Sequence, residues 1–337
     1  MTNPFSEGVS CSEEMIFSVT KTRCKMSINI TATASAGSGH GHHHAAHGVA
    51  KPYVVSLDIH TLLDQWAVSS GFRIPDEALF RELRSEMRQQ LLSIFPQVEM
   101  LTEDEIRVPL MRLARGTRLP IVSLDQTYCP SEHMLQLTRA SKLDKTNAGM
   151  THRSGSDTIE QQVRTMAKSV QGDVVLVDDV IFSGDMIAER IFPLLLQHGI
   201  NVRVVVAGVG VGAGVALVSE VAEVKCVREY PRVIDEICER DFYPGVPLSG
   251  RTLLGHENTG MAYVLPYGDP ISWASIPEKA VVPFSRFCLV QTYRLFREIE
   301  KASKRIVLID ELPRKVNAVG SGRGRFTDEL VLAVDSL

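Results

Sequence analysis

The chain has 337 residues, 44% hydrophobic and 23% charged, with a formal net charge of −4. That length suits about two domains of ~150 residues with a sizeable core, and the slight acidity offers no basic field for nucleic acid. No apolar run approaches the ~20 residues of a membrane span and the N-terminus lacks a signal-peptide core, so a soluble, cytoplasmic protein without a membrane partner is expected.

Residues 1–50 contain TATASAGSGHGHHHAAHG, which lacks apolar periodicity and is expected to be a disordered Ser/Gly/His-rich tail. His40, His42, His43, His44 and His47 would bind a transition metal only opportunistically, for want of fixed geometry, and Met26 is an alternative start. Residues 51–105 read as a helical N-terminal segment. Leu79, Phe80, Leu83, Met87, Leu91 and Leu92 form one apolar face after a start signal at Pro75 and Asp76. That face suits packing on a sheet or on the second subunit of a homodimer.

LPIVSLDQTYCP at 119–130 reads as a short strand ending in an acid and a polar turn. VVSLD at 54–58 nearly repeats IVSLD at 121–125, as short apolar strings do by chance. Residues 135–162 are polar, carry Arg139, Lys142, Lys145 and Arg153, and read as a loop.

The most informative stretch is GDVVLVDDVIFSGDM, residues 172–186. Val174, Val175, Leu176 and Val177 predict a strand buried on both faces. A helix is expected over residues 185–198, kinked by Pro193 and stopped by Gly199, and then a second strand at 202–207. Such a βαβ unit is a right-handed crossover between parallel strands, and ligands bind beyond the carboxyl ends of those strands. Backbone N–H groups after Ser183 and Gly184 suit a phosphate. Asp178 and Asp179 repel phosphate but can accept hydrogen bonds from vicinal sugar hydroxyls, so a sugar phosphate is the implied ligand.

GVGVGAG at 208–214 lacks the acid about 20 residues on that a dinucleotide site requires and reads as a flexible loop near the ligand. RIVLIDELPRK at 305–315 imitates the acid pair with Asp310 and Glu311 but has no phosphate cradle, and reads as a strand with a sharp stop. Residues 221–337 form a C-terminal region of loop-like stretches around a strong helix at 284–304. There Phe242, Tyr243, Tyr267 and Trp273 either stack on a planar ligand or pack in the core. Cys11, Cys24, Cys129, Cys226, Cys238 and Cys288 show no close pairing and read as reduced thiols, with Cys129 the one loop thiol that could be reactive.

Residues 174–186 resemble the phosphoribosyl pyrophosphate (PRPP) signature of the type I phosphoribosyltransferases: an apolar strand, two acids and a hydroxyl-bearing loop around a glycine. The resemblance implies an α/β fold with a parallel-sheet, type I phosphoribosyltransferase-like core at residues 106–220, between the helical extension and the C-terminal region. Asp178 and Asp179 would hold the ribose hydroxyls, and Phe182, Ser183, Gly184, Asp185 and Met186 would form the 5′-phosphate loop. Met186 stands where the family usually has Thr or Ser, and Asp185 where a small residue is common. Asp125, Gln126 and Thr127 would belong to the pyrophosphate loop, and Arg139 and Arg153 to a mobile loop that closes over PRPP. The implied reaction transfers the phosphoribosyl group to an acceptor and releases pyrophosphate, with Mg²⁺ held mainly through PRPP. Two other readings stand beside it: a PRPP-sensing regulatory protein without catalysis, and another sugar-phosphate-binding α/β enzyme, such as a phosphatase or kinase-like one using Asp178 as nucleophile or metal ligand.

Overall fold

Short β-branched runs buried on both faces build the framework of this protein, whose computed structural model describes residues 51–317 and 324–337. The expected tail with its histidines, Cys11 and Cys24 lies outside the described residues, as does the start of SGRGRF. In chain order come β1 (Tyr53–Ser56), α1 (Ile59–Ser70), α2 (Glu77–Leu92), β2 (Val98–Leu101), α3 (Glu103–Gly116), β3 (Ile121–Ser123) and β4 (His133–Met134). A hairpin of β5 (Leu137–Ser141) and β6 (Asn147–His152) precedes α4 (Ile159–Met166) and β7 (Gly172–Ile181). A π-helical turn (Met186–Ile191) then runs into α5 (Phe192–Gln197), followed by β8 (Ile200–Val211), α6 (Gly212–Ser219) and β9 (Glu223–Tyr230). The rest comprises β10 (Asp235–Cys238), β11 (Arg251–Leu253), β12 (His256–Met261), α7 (Pro270–Ala274), α8 (Val281–Ser303), β13 (Lys315–Val316) and α9 (Phe326–Asp335).

The molecule is α/β, with two all-parallel sheets and one mixed sheet. The larger parallel sheet has the order β4-β3-β7-β8-β9 and the smaller one β10-β1-β2; the mixed sheet runs β13-β12-β11-β5-β6. Alternation along β7 decides the layering: Val174 and Leu176 enter a core with α4 and α5, whereas Val175 and Val177 enter one with α3. The same alternation in β1 sends Val54 to the α3 side and Tyr53 and Val55 to the core of α2 and α8. The small sheet is thus sandwiched between α3 and the outer helices, and β10 joins it from 180 residues downstream. Among the described residues no helix is long and apolar enough to cross a membrane.

Several expectations need correction. Residues 53–56 are a strand rather than the start of a helical segment, because a short run buried on both faces carries no period that separates the two. VVSLD and IVSLD are structural counterparts: each ends a parallel strand in a buried aspartate, Asp58 and Asp125. Residues 135–162 form a hairpin and the start of helix α4, with a turn closed by Lys142 N–H to the Thr146 carbonyl at 2.9 Å, rather than an irregular loop. The 208–214 stretch ends β8 and starts α6 instead of forming a flexible loop. Residues 309–311 form a 3₁₀ turn capped by Glu311, which accepts from Leu308 N–H at 3.0 Å, so RIVLIDELPRK is not a strand. The expected kink at Pro193 takes the form of the π turn, in which Phe192 N–H reaches back to the Ile187 carbonyl.

Candidate functional site

From β3 the chain passes to β4 on one side and, later, to β7 on the other. A crevice opens at such a switch between the carboxyl ends of neighbouring strands. It forms a cleft of about 610 Å³, roofed by the mixed sheet. Asp178, Asp179, the loop Phe182 to Met186, the turn Asp125 to Thr127, Arg139 and Arg153 all line it. Residues separated by 60 positions in the chain thus meet in one place.

The signature loop is shaped by its glycine. Gly184 has φ +81°, and a Cβ there would stand 2.7 Å from the Gly214 carbonyl. Gly214 is pressed in turn against the carbonyl of Phe182, so the start of α6 is the floor of the loop. Gly214→Ala is expected to push this floor apart, lowering the melting temperature by several degrees through a loss of about 1–3 kcal/mol and displacing the loop; thermal unfolding checks it. Phe182, Ser183 and Asp185 are exposed, and Met186 is half-buried against the core beneath the loop.

Asp178 Oδ1 accepts the N–H of Asp179 at 3.0 Å. Burial, and then the charges of Asp179 and Asp125, hold the Asp178 carboxyl well above the usual carboxylate range. Asp125 holds the turn that also carries Gln126 and Thr127. Its carboxylate accepts from the N–H groups of Thr127, Tyr128 and Cys129 at 2.9, 2.6 and 2.8 Å, so it shapes the turn from inside. Burial and Asp179 nevertheless push it up to about 6. The turn presents Gln126 Nε2 and Thr127 Oγ1, both buried and without a hydrogen-bond partner among the described residues.

The structure brings both predicted arginines to the cleft, with different neighbours. Arg153, just after β6, stands within the electrostatic reach of Asp179 and Asp125, with its Nε unpartnered. Burial, followed by Arg240 and Arg314, lowers its pKa to about 9. Arg139, on β5, lies beside Tyr263, just after β12, and is also within the electrostatic reach of Asp179.

Sequence reasoning missed the residues that the small sheet delivers. Arg240, 8% exposed, reaches Asp58 with Nη1 and Asp179 with Nη2 at 3.4 Å, and its N–H donates to Asp58 Oδ1 at 3.0 Å. Asp58 is thereby occupied and caps α1 poorly; Glu239 takes over, accepting from Asp58 N–H at 3.2 Å and pairing with Arg84 at 3.1 Å. Glu236, on the cleft wall, accepts from Ser56 Oγ at 2.6 Å and is pushed up to about 8 by burial. The near-repeat VVSLD was the one signal for this second strand end.

Of the four aromatic candidates only Trp273 lines the cleft. Phe242, Tyr243 and Tyr267 are at most 1% exposed and pack in the main core, where their bulk is buried. Cys129 is fully buried and its thiol pushed up to about 11 by burial and Asp125, which makes it unreactive rather than an exposed loop thiol. No group of three or more His, Cys, Asp or Glu side chains among the described residues is arranged to hold a metal ion on its own. Asp178 and Asp179 nonetheless provide hard oxygen donors that suit a Mg²⁺ brought in on a diphosphate. Compared with known proteins, the chain matches no protein-family model and no curated protein, so a functional reading rests on the geometry of the cleft.

Proposed function

We propose that the protein is a phosphoribosyltransferase that binds PRPP with Mg²⁺ and transfers the phosphoribosyl group to an acceptor, releasing pyrophosphate. One observation carries this reading: an acid pair, a Ser-Gly loop and a turn of unpartnered polar groups line a single cleft at the switch point of a parallel sheet. In this reading the groups serve a ribose with an anion at each end. Asp178 and Asp179 accept the ribose hydroxyls. The 5′-phosphate lies on the backbone of residues 182–186 and Ser183, ahead of the helical run that starts at Met186. Met186 has no hydroxyl to give, so backbone donors take the larger share.

Gln126, Thr127 and Arg153 meet the diphosphate. Mg²⁺, when bound, supplies charge to the diphosphate oxygens. In the reaction the bond from C1 to the diphosphate breaks, a bond from C1 to the acceptor nucleophile forms, and the acceptor's proton departs. The protein contributes position and field: the negative acid pair stabilises positive charge developing on the ribose, and Arg153 stabilises the leaving group. The roof of the cleft limits access of water to a donor prone to hydrolysis.

Arg153→Met tests this assignment. Affinity for magnesium pyrophosphate in titration calorimetry is expected to fall about tenfold or more, as loss of a charge-assisted pair requires. The melting temperature should hold or rise, because burial already works against the Arg153 charge. An unchanged pyrophosphate affinity in a folded variant would remove Arg153 from the site.

A further inference from the structure

The cleft holds a second recognition element on its roof. Strands β5 and β11 run parallel with Ala140 opposite Thr252, which sets Arg139 and Arg251 at the same level on neighbouring strands. Like charges placed so are repulsive, and among the described residues neither side chain forms an ion pair. Arg251 is only 9% exposed. Its guanidinium is fixed 4.7 Å over the Trp273 ring and 5.6 Å over that of Tyr263. One Nη donates to Asn147 Oδ1 at a long 3.4 Å, and the buried Nε has no partner. Asp235 and Asp241 act on the arginines only at a distance. Ser275 Oγ donates to Asp235 Oδ2 at 2.8 Å and Gly250 N–H to Asp241 Oδ1 at 2.7 Å.

A buried guanidinium, held rigid between two rings with donors to spare, is a preformed receptor for a planar two-oxygen anion. Resting on the phosphoribosyltransferase reading, we propose that Arg251, with Arg139 beside it, binds a carboxylate carried by the acceptor, so that the acceptor is a carboxylate-bearing nucleophile and not a neutral base. The 5′-phosphate already has the signature loop and the diphosphate the Gln126–Thr127 turn with Arg153, and this further cationic position is left for the acceptor. Trp273 and Tyr263 are specificity-determining because they fix the edge of Arg251 that the carboxylate meets.

The test uses the full chain as wild type, R251Q and R251K, with magnesium PRPP titrated by calorimetry. The acceptor probes are pyridine-3-carboxylate and pyridine-3-carboxamide, followed by ligand-observed NMR in the presence of magnesium PRPP. In the wild type the acid should bind about tenfold or more tighter than the amide. R251Q should level the two to within about twofold while PRPP affinity stays within about twofold of wild type. R251K, which keeps the charge but not the planar fork, should retain part of the preference; it carries the test if R251Q does not fold. Equal binding of acid and amide to the wild type, binding of neither, or an undiminished preference in R251Q overturns the carboxylate assignment. A preference for the acid that depends on Arg251 in a protein that binds no PRPP would instead sink the phosphoribosyltransferase reading and leave the anion site standing.

Discussion

Replacing both Asp178 and Asp179 by Asn is expected to weaken PRPP binding by well over tenfold, about 1.4 kcal/mol or more, while the protein stays folded. Asn conserves the size of each side chain, and an amide oxygen can still accept the Asp179 N–H that now ends on Asp178 at 3.0 Å. Burial disfavours the Asp178 charge in the ligand-free protein. Its removal therefore stabilises the fold and offsets the lost contact between Asp179 and Arg240, which at 3.4 Å is a long one. Binding is penalised for the same reason that the fold is not: a neutral amide is a weaker acceptor for sugar hydroxyls and gives no field to a cationic ribose. The pH dependence separates this from a general loss of structure. Because the folded-state pKa of Asp178 is raised, and that of Asp125 reaches about 6, both take up protons in the ligand-free protein as pH falls. A ligand that requires the ionised acids must expel those protons, so wild-type affinity should rise between pH 6 and 8, with a flatter profile in the double variant. Calorimetry at the two pH values reads both effects.

Arg240→Met is expected to cause the most pH-dependent stability loss, a deficit about 1.4 kcal/mol larger at pH 9 than at pH 6, because it leaves Asp58 buried at 0% exposure without its counter-charge. Burial raises Asp58 from 3.8 to about 8 even with Arg240 in place. For an acid raised in this way the stabilisation is complete below the unfolded value near 4 and is lost as pH rises through the folded value near 8. Removing Arg240, the main group opposing that shift, lifts the folded value further. At pH 6 Asp58 is protonated with or without its partner and the variant loses little; above pH 8 the wild type keeps its ion pair while the variant must bury a bare carboxylate or bind a proton. Urea unfolding at pH 6 and 9 should show a deficit that grows with pH. A pH-independent deficit would mean that Arg240 acts through packing alone. PRPP affinity should also fall, since Arg240, together with the Cys238 thiol at 3.6 Å, holds the Asp179 carboxylate.

How much of this was legible in the sequence follows from the distance over which each feature is decided. The signature strand, its acid pair and its loop are local, and alternation of Val174 to Val177 between two cores is what a strand buried on both faces must do. The start of α2 was equally local: Asp76 accepts the Ala78 N–H at 3.1 Å. The hairpin of β5 and β6 was hidden because one of its faces meets a polar cleft, so its side chains carry no apolar alternation. Arg240 was invisible for another reason. Its partner Asp58 is 182 residues away, and only the parallel pairing of β1 with β10 brings them together. The pairing of β5 with β11 does the same for Arg139 and Arg251. Aromatic content in the C-terminal region gave no means of telling Trp273, on the cleft, from Phe242, Tyr243 and Tyr267, in the core.

The most direct test of the central claim is calorimetric titration of the wild-type chain with PRPP at pH 8, with and without Mg²⁺. The account predicts saturable binding at one site per chain that strengthens with Mg²⁺, is competed by magnesium pyrophosphate, and is lost in the Asp178→Asn, Asp179→Asn double variant. Absence of binding at millimolar PRPP and Mg²⁺, or binding that the double variant leaves intact, would contradict it.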